Sequence, residues 1–142
     1  MRDELDELLF QRYPLIFGER NLGMRETAMC WGICCNDGWF DLIDALCERL
    51  QFWTDNNGAP QIVASQVKQK YGELCFYTRE IPSPVQDGMI LMAEEMSLRI
   101  CEQCGNSGAL YSRRGCLMTR CSEHAPEGCV LVSELPDPMN DD

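Results

Sequence analysis

The chain has a single histidine, His124, among its 142 residues. A zinc deaminase needs an H-x-E element upstream of its cysteine pair, and with no histidine before residue 124 that chemistry is excluded. Positive charge is scarce as well: 12 Lys and Arg stand against 23 Asp and Glu, for a net charge of −11. The acids are spread along the chain, with 7 basic and 11 acidic side chains in residues 1–71 and 5 and 12 in residues 72–142. Such a surface repels phosphate, which excludes a protein that clamps nucleic acid over its whole face. Long apolar runs are missing too. The opening MRDELDELLFQRYPLIF begins with acids and never becomes a continuous apolar stretch, so no secretory signal is read there, and nothing approaches a membrane span. The chain therefore reads as soluble and cytoplasmic. It has no glycine-rich phosphate loop, no dinucleotide fingerprint, no internal repeat and no long linker.

What the chain has in excess is cysteine, ten in 142 residues, against ordinary globular values of 45% apolar and 25% charged residues. In a reducing compartment such a density points to metal rather than disulfides. Cys101-x2-Cys104, sixteen residues, then Cys121-x2-His124 is the pattern of a structural zinc site. A two-residue gap turns both ligands of a pair toward one ion, and Gly105 permits the positive φ that such a turn needs. The spacer reads as a hairpin, GALYS and CLMTR around Arg113-Arg114-Gly115, which returns the second pair to the first. Residues 101–124 thus look like a zinc ribbon.

Four protein ligands close the shell, leave no position for water and assign the zinc to folding rather than catalysis. With His124 a ligand, no histidine remains for a Ser–His or Cys–His pair. Glu123 reads as a solvated charge. Asp37, Asp41, Asp44 and Glu48 sit at helical spacing on a polar face and read as an exposed stripe, so the chain is not expected to be an enzyme. Cys116 reads as an apolar strand residue, with exchange for Cys121 as a ligand the minor alternative, and Cys30, Cys34 and Cys35 read as buried free thiols. Around the ribbon Arg99, Arg113, Arg114 and Arg120 face only Glu102 and Glu123. A basic tip of Arg113, Arg114 and Arg120 offers an alternative, nucleic-acid-binding reading.

Periodicity predicts a helix over residues 2–13 stopped by Pro14, and a second from an N-cap at Asp37. The second has a stripe of Trp39, Leu42, Ile43, Leu46, Leu50 and Trp53 and ends before TDNNGAP. Residues 18–38 read as loop with a short strand around residues 29–33. QIVASQVKQKYGELCFYTREI reads as a hairpin turning at Gly72-Glu73, with residues 62–70 open to a helical alternative. A further helix starts at the N-cap Ser83 and Pro84 and buries Val85, Met89, Met92, Ala93, Met96 and Ile100 as core packing. A strand at residues 129–132 and a frayed acidic tail follow. The expected fold is α+β, two main helices on a small antiparallel sheet with a C-terminal zinc ribbon. It divides into a body (1–100), the ribbon (101–125), and a short strand with the tail (126–142).

CNDGWFDLIDALCERLQ, VASQVKQKYGELCFYTR, CEQCG and MTRCSEH together resemble a family of small uncharacterised bacteriophage and prophage proteins, over residues 25–125. The resemblance implies a viral origin, expression in the bacterial host cytoplasm and no catalytic residue. By analogy with small acidic phage proteins, the implied partner is a host protein with a basic surface, such as a defence factor or a nucleic-acid-processing enzyme.

Overall fold

Apolar residues three and four apart build the central helix. The computed structural model of the chain describes residues 1–137, and there α2 (Phe40–Asn57) buries Ile43, Leu46, Cys47 and Leu50 on one face. Trp39, fully buried, leads into it from a 3-10 turn at Asp37–Trp39. Asp37 does not cap this helix. Its carboxylate instead accepts the Arg2 backbone N–H at 2.8 Å and pairs with the Arg2 guanidinium at 2.9 Å. Nor does α2 stop before TDNNGAP. Thr54 and Asn56 donate back to the carbonyls of Leu50 and Phe52, and only at Gly58, with φ +67°, does the chain take the left-handed turn that ends a helix.

α1 (Asp3–Arg12) packs Leu9 and Phe10 into the same core. Its neighbour Tyr13 donates its hydroxyl to the Asp44 carboxylate at 2.8 Å. In place of a strand at residues 29–33 stands a 3-10 turn, Ala28–Trp31, capped by Thr27 Oγ1, which accepts the Met29 N–H. Extended pairing there shrinks to one parallel bridge, Cys34 to Lys68.

β1 (Ala64–Lys70) and β2 (Glu73–Thr78) form an antiparallel pair, so the helical alternative for residues 62–70 fails. The turn residues are Tyr71 and Gly72, one position earlier than expected. Their φ values of 54° and 82° are those of a two-residue hairpin turn that keeps both central residues left-handed. A Cβ on Gly72 would lie 2.6 Å from Leu110 Cδ1, so the glycine is also needed for close packing.

α3 (Pro84–Ser97) starts where expected. Ser83 and Gln86 form a reciprocal capping box, and Gln86, fully buried, also donates to the carbonyls of Leu50 and Pro60. Its buried face, however, is Gln86, Ile90, Ala93 and Ser97. Of the predicted stripe, Ala93 is buried and Met89 and Ile100 pack against the core, whereas Val85, Met92 and Met96 are exposed. The reason is the free edge of β2. There the Leu74 N–H donates to Ser97 Oγ at 2.8 Å and the Phe76 N–H to Glu94 at 3.1 Å, which turns the polar side of α3 inward.

The second sheet has the order β4–β3–β5, from β3 (Ala109–Arg113), β4 (Cys116–Arg120) and the two-residue β5 (Val130–Leu131). Arg114 and Gly115, with φ 52° and 80°, make the predicted turn between β3 and β4. The expected strand at residues 129–132 is shorter because a 3-10 turn takes Val132–Glu134. The end of the acidic tail, residues 138–142, lies outside the described residues. The fold is thus α+β, with helices and two small antiparallel sheets. No helix among the described residues is long and apolar enough to cross a membrane.

Candidate metal centre

The two ligand pairs sit at the ends of the β3–β4 hairpin. Cys101 and Cys104 occupy a tight turn before β3, in which the Gly105 N–H donates to the Cys101 carbonyl at 2.9 Å and the Cys101 N–H to the Asn106 carbonyl at 2.7 Å. Gly105 holds φ +81°, as its position in the turn requires. Cys121 follows β4 directly, and the next turn folds back, with the His124 and Ala125 N–H groups donating to the Cys121 carbonyl. The antiparallel register, Ala109 opposite Arg120, brings the pairs together.

The four donor atoms all lie within 4.8 Å of one another. Cys104 Sγ and Cys121 Sγ are 3.7 Å apart, and His124 Nδ1 stands 3.2 Å from Cys121 Sγ and 3.8 Å from Cys101 Sγ. Ligands on a tetrahedron with sulfur at about 2.3 Å and nitrogen at about 2.0–2.1 Å from its centre would be separated by about 3.8 Å (S···S) and about 3.5 Å (S···N). The S···S spacing lies close to the first value and the two S···N spacings bracket the second, so Cys101, Cys104, Cys121 and His124 can hold one metal ion as a closed four-ligand set. Burial pushes the Cys101 thiol up. The N–H groups of Cys121, Cys104 and Gln103 outweigh it and hold the thiol at about 6, already on the side of the thiolate that a metal requires.

The centre is anchored to the body by residues that motif spacing does not reveal. Trp39 Nε1 donates to the Ile100 carbonyl at 2.9 Å, and the Gly38 N–H to the Glu102 carbonyl at 2.7 Å. A Cβ on Gly38 would fall 2.1 Å from the Cys101 carbonyl oxygen, so only glycine lets the two backbones approach. Glu102, buried, accepts the Asn36 N–H at 3.1 Å and pairs with Arg120 at 3.3 Å. A lone ligand motif carries no signal for Gly38 or Glu102, because the contacts that tie them across to each other's segment, Gly38 to Glu102 and Asn36 to Glu102, span more than 60 positions in sequence.

Arg113 and Arg114 are exposed at the hairpin turn, as the basic-tip reading expected. Arg120 is not with them: it pairs with Glu102 at the metal end of the hairpin, and Arg99 pairs with Glu95. Glu123 is exposed, in keeping with a solvated charge. The carboxylates in and before α2 do not converge. Asp37 pairs with Arg2, Asp44 with Arg12, and Glu48 with Arg49.

No second group of metal-ligand side chains is found among the described residues, and all ten cysteines are free. Cys35 and Cys47 are buried, and burial, with Glu102 nearby, pushes the Cys35 thiol up to about 12, which makes it inert. Cys34 and Cys116 are exposed and Cys30 is half-buried, so the expectation of buried thiols holds only for Cys35 in its cluster. No family model, curated protein or solved structure matches this chain.

Proposed function

We infer that this chain is a zinc-stabilised, non-enzymatic binding protein of phage type that acts on a host protein with a basic surface. The observation that supports this reading is the closed Cys3His set. Thiolates and an imidazole at tetrahedral spacing suit zinc, and four protein ligands leave no open position for a reacting water. The segment around it is then a zinc ribbon, and its metal clamps the two ends of the β3–β4 hairpin together.

Two surface features support a protein partner. The acidic surface suits a basic one, such as the nucleic-acid-binding face of a host defence or processing enzyme. Between α2 and α3 lies an open apolar groove of about 450 Å³, lined by Leu42, Ala45, Met89, Met92 and Met96, and methionine-rich surfaces adapt to a bound protein. The test is affinity capture from host extract with the wild type and with Met92→Glu/Met96→Glu. A partner held by the wild type and released by both the variant and high salt supports the reading. Capture insensitive to both rules out this surface.

A nucleic-acid reading through the hairpin turn is favoured by one observation: Arg113 and Arg114 are exposed and carry no ion pair among the described residues. Loss of oligonucleotide binding on replacing both with alanine is its test.

A further inference from the structure

The chain contains two lysines, Lys68 and Lys70, and both lie on β1. Arg2, Arg12, Arg20, Arg49, Arg79, Arg99 and Arg120 each pair with a carboxylate. Among the described residues Arg25, Lys68, Lys70, Arg113 and Arg114 do not. In a protein of net charge −11, positive charge left free of ion pairs is therefore confined to a few places.

Three of the five come together on the outer face of the β1–β2 hairpin. Val67, Leu74 and Phe76 are buried, so by the two-residue period of a strand Gln66, Lys68, Lys70, Cys75 and Tyr77 face the other way. Lys68 Nζ lies 5.8 Å from the centre of the Tyr77 ring, and Lys70 Nζ 5.6 Å from that of Tyr71. Tyr71 is 73% exposed at the turn. Trp31, 67% exposed, stands at the far edge, where its carbonyl meets the Cys34 thiol and Cys34 bridges to Lys68. Arg25 lines a cleft of about 490 Å³ beside Gln66, Tyr77 and Thr78. Three acids lie nearby: Glu26, in the same cleft, accepts the Gly23 N–H, Glu73 is the cross-strand neighbour of Lys70, and Glu94 is close enough to act on the Tyr77 hydroxyl.

Exposed aromatic rings interleaved with unpaired cations on an open sheet face are what single-stranded nucleic acid recognises, because bases stack on the rings while phosphates meet the ammonium groups. An acidic protein segment would satisfy the lysines but leave Trp31 and Tyr71 without a purpose. We propose that the outer face of the β1–β2 hairpin, with Trp31, Lys68, Lys70, Tyr71 and Tyr77, binds single-stranded nucleic acid without strong sequence preference. This surface uses none of the metal ligands and neither arginine of the β3–β4 turn. Its failure would leave the reading of the metal centre and its host partner untouched.

The experiment is fluorescence anisotropy of labelled oligo-dT and oligo-rU with the full, metal-loaded chain across a salt series. Lys68→Ala/Lys70→Ala is expected to weaken binding at least about tenfold and to flatten the salt slope by about 1.4, two phosphates at about 0.7 each. Tyr71→Ala is expected to weaken it about tenfold with the slope unchanged. Binding should quench the emission of exposed Trp31, a signal absent from Trp31→Phe. Arg113→Ala/Arg114→Ala should bind as the wild type does. Metal content and circular dichroism equal to wild type establish that each variant is folded. No binding of either oligonucleotide by the wild type overturns the proposal. So does loss confined to the Arg113/Arg114 variant, or displacement of the oligonucleotide by polyglutamate at equal charge concentration.

Discussion

Thr119 on β4 donates its hydroxyl to the carbonyl oxygen of Gly72 at 2.7 Å, and both residues are buried. The bond joins the two sheets at the one glycine whose tight turn lets Leu110 and Met118 come within contact distance. Through it the hairpin that carries the Cys3His cluster leans on the β1–β2 turn rather than hanging from a linker.

Thr119→Val keeps the shape and removes the donor, so the Gly72 carbonyl is left buried without that partner. The expected cost is about 1–3 kcal/mol in chemical denaturation. An unchanged midpoint would mean that the seam between the sheets contributes nothing to stability.

Gly38→Ala should be worse. Its new methyl would meet backbone on two residues, the carbonyls of Cys101 and Glu102, neither of which can rotate away. Overpacking of this kind costs about 3 kcal/mol, and because it strikes the ligand-bearing turn, metal affinity should fall along with thermal stability. Elemental analysis of the purified variant reads that second effect.

Replacing Cys101, Cys104, Cys121 or His124 with alanine should strip the ion and loosen the segment from residue 101 onward, since the binding energy of a structural metal is largely folding energy. Cys34→Ser, at an exposed thiol away from the cluster, should retain one ion per chain. Metal content with X-ray absorption decides, and equal loss in Cys34→Ser would defeat the assignment.

The two faces of α3 predict opposite outcomes. Ile90→Ala opens a buried site and should cost about 2–5 kcal/mol. Met92→Ala, at a side chain 63% exposed, should stay within about 0.5 kcal/mol. Paired urea melts test both.

Burial raises the Glu94 carboxyl above its usual range, only partly countered by the Phe76 N–H. A group with a raised folded pKa contributes stability that is fully present below its unfolded value and lost as pH rises through the folded one. The wild type should therefore gain stability relative to Glu94→Gln as pH falls from 7 toward the ordinary glutamate range. The opposite sign below that range belongs to Glu19, whose carboxyl the Arg79 guanidinium holds low. Thermal melts of both proteins across pH 4–7 give the difference.

Local chemistry made several features readable from the amino-acid order alone. These are the Ser83 N-cap with Pro84 at the first helical position, the apolar stripe through Ile43, Leu46 and Leu50, the turn around Arg113-Arg114-Gly115, and the grouping of Cys101, Cys104, Cys121 and His124. Each depends on residues within a few positions of one another or on a ligand spacing that a short hairpin closes. Tertiary structure alone decided which side of α3 faces inward. The Leu74 and Phe76 N–H groups at the sheet edge needed acceptors, and Ser97 and Glu94 supply them while Leu91, Met92 and Met96 remain in solvent. It also decided that Arg120 neutralises Glu102 instead of joining Arg113 and Arg114, and that the helix start falls to Phe40 because Arg2 claims Asp37. In every such case the deciding partner is distant in the chain, and a hydrogen bond or ion pair across that distance leaves no periodic trace for the sequence to carry.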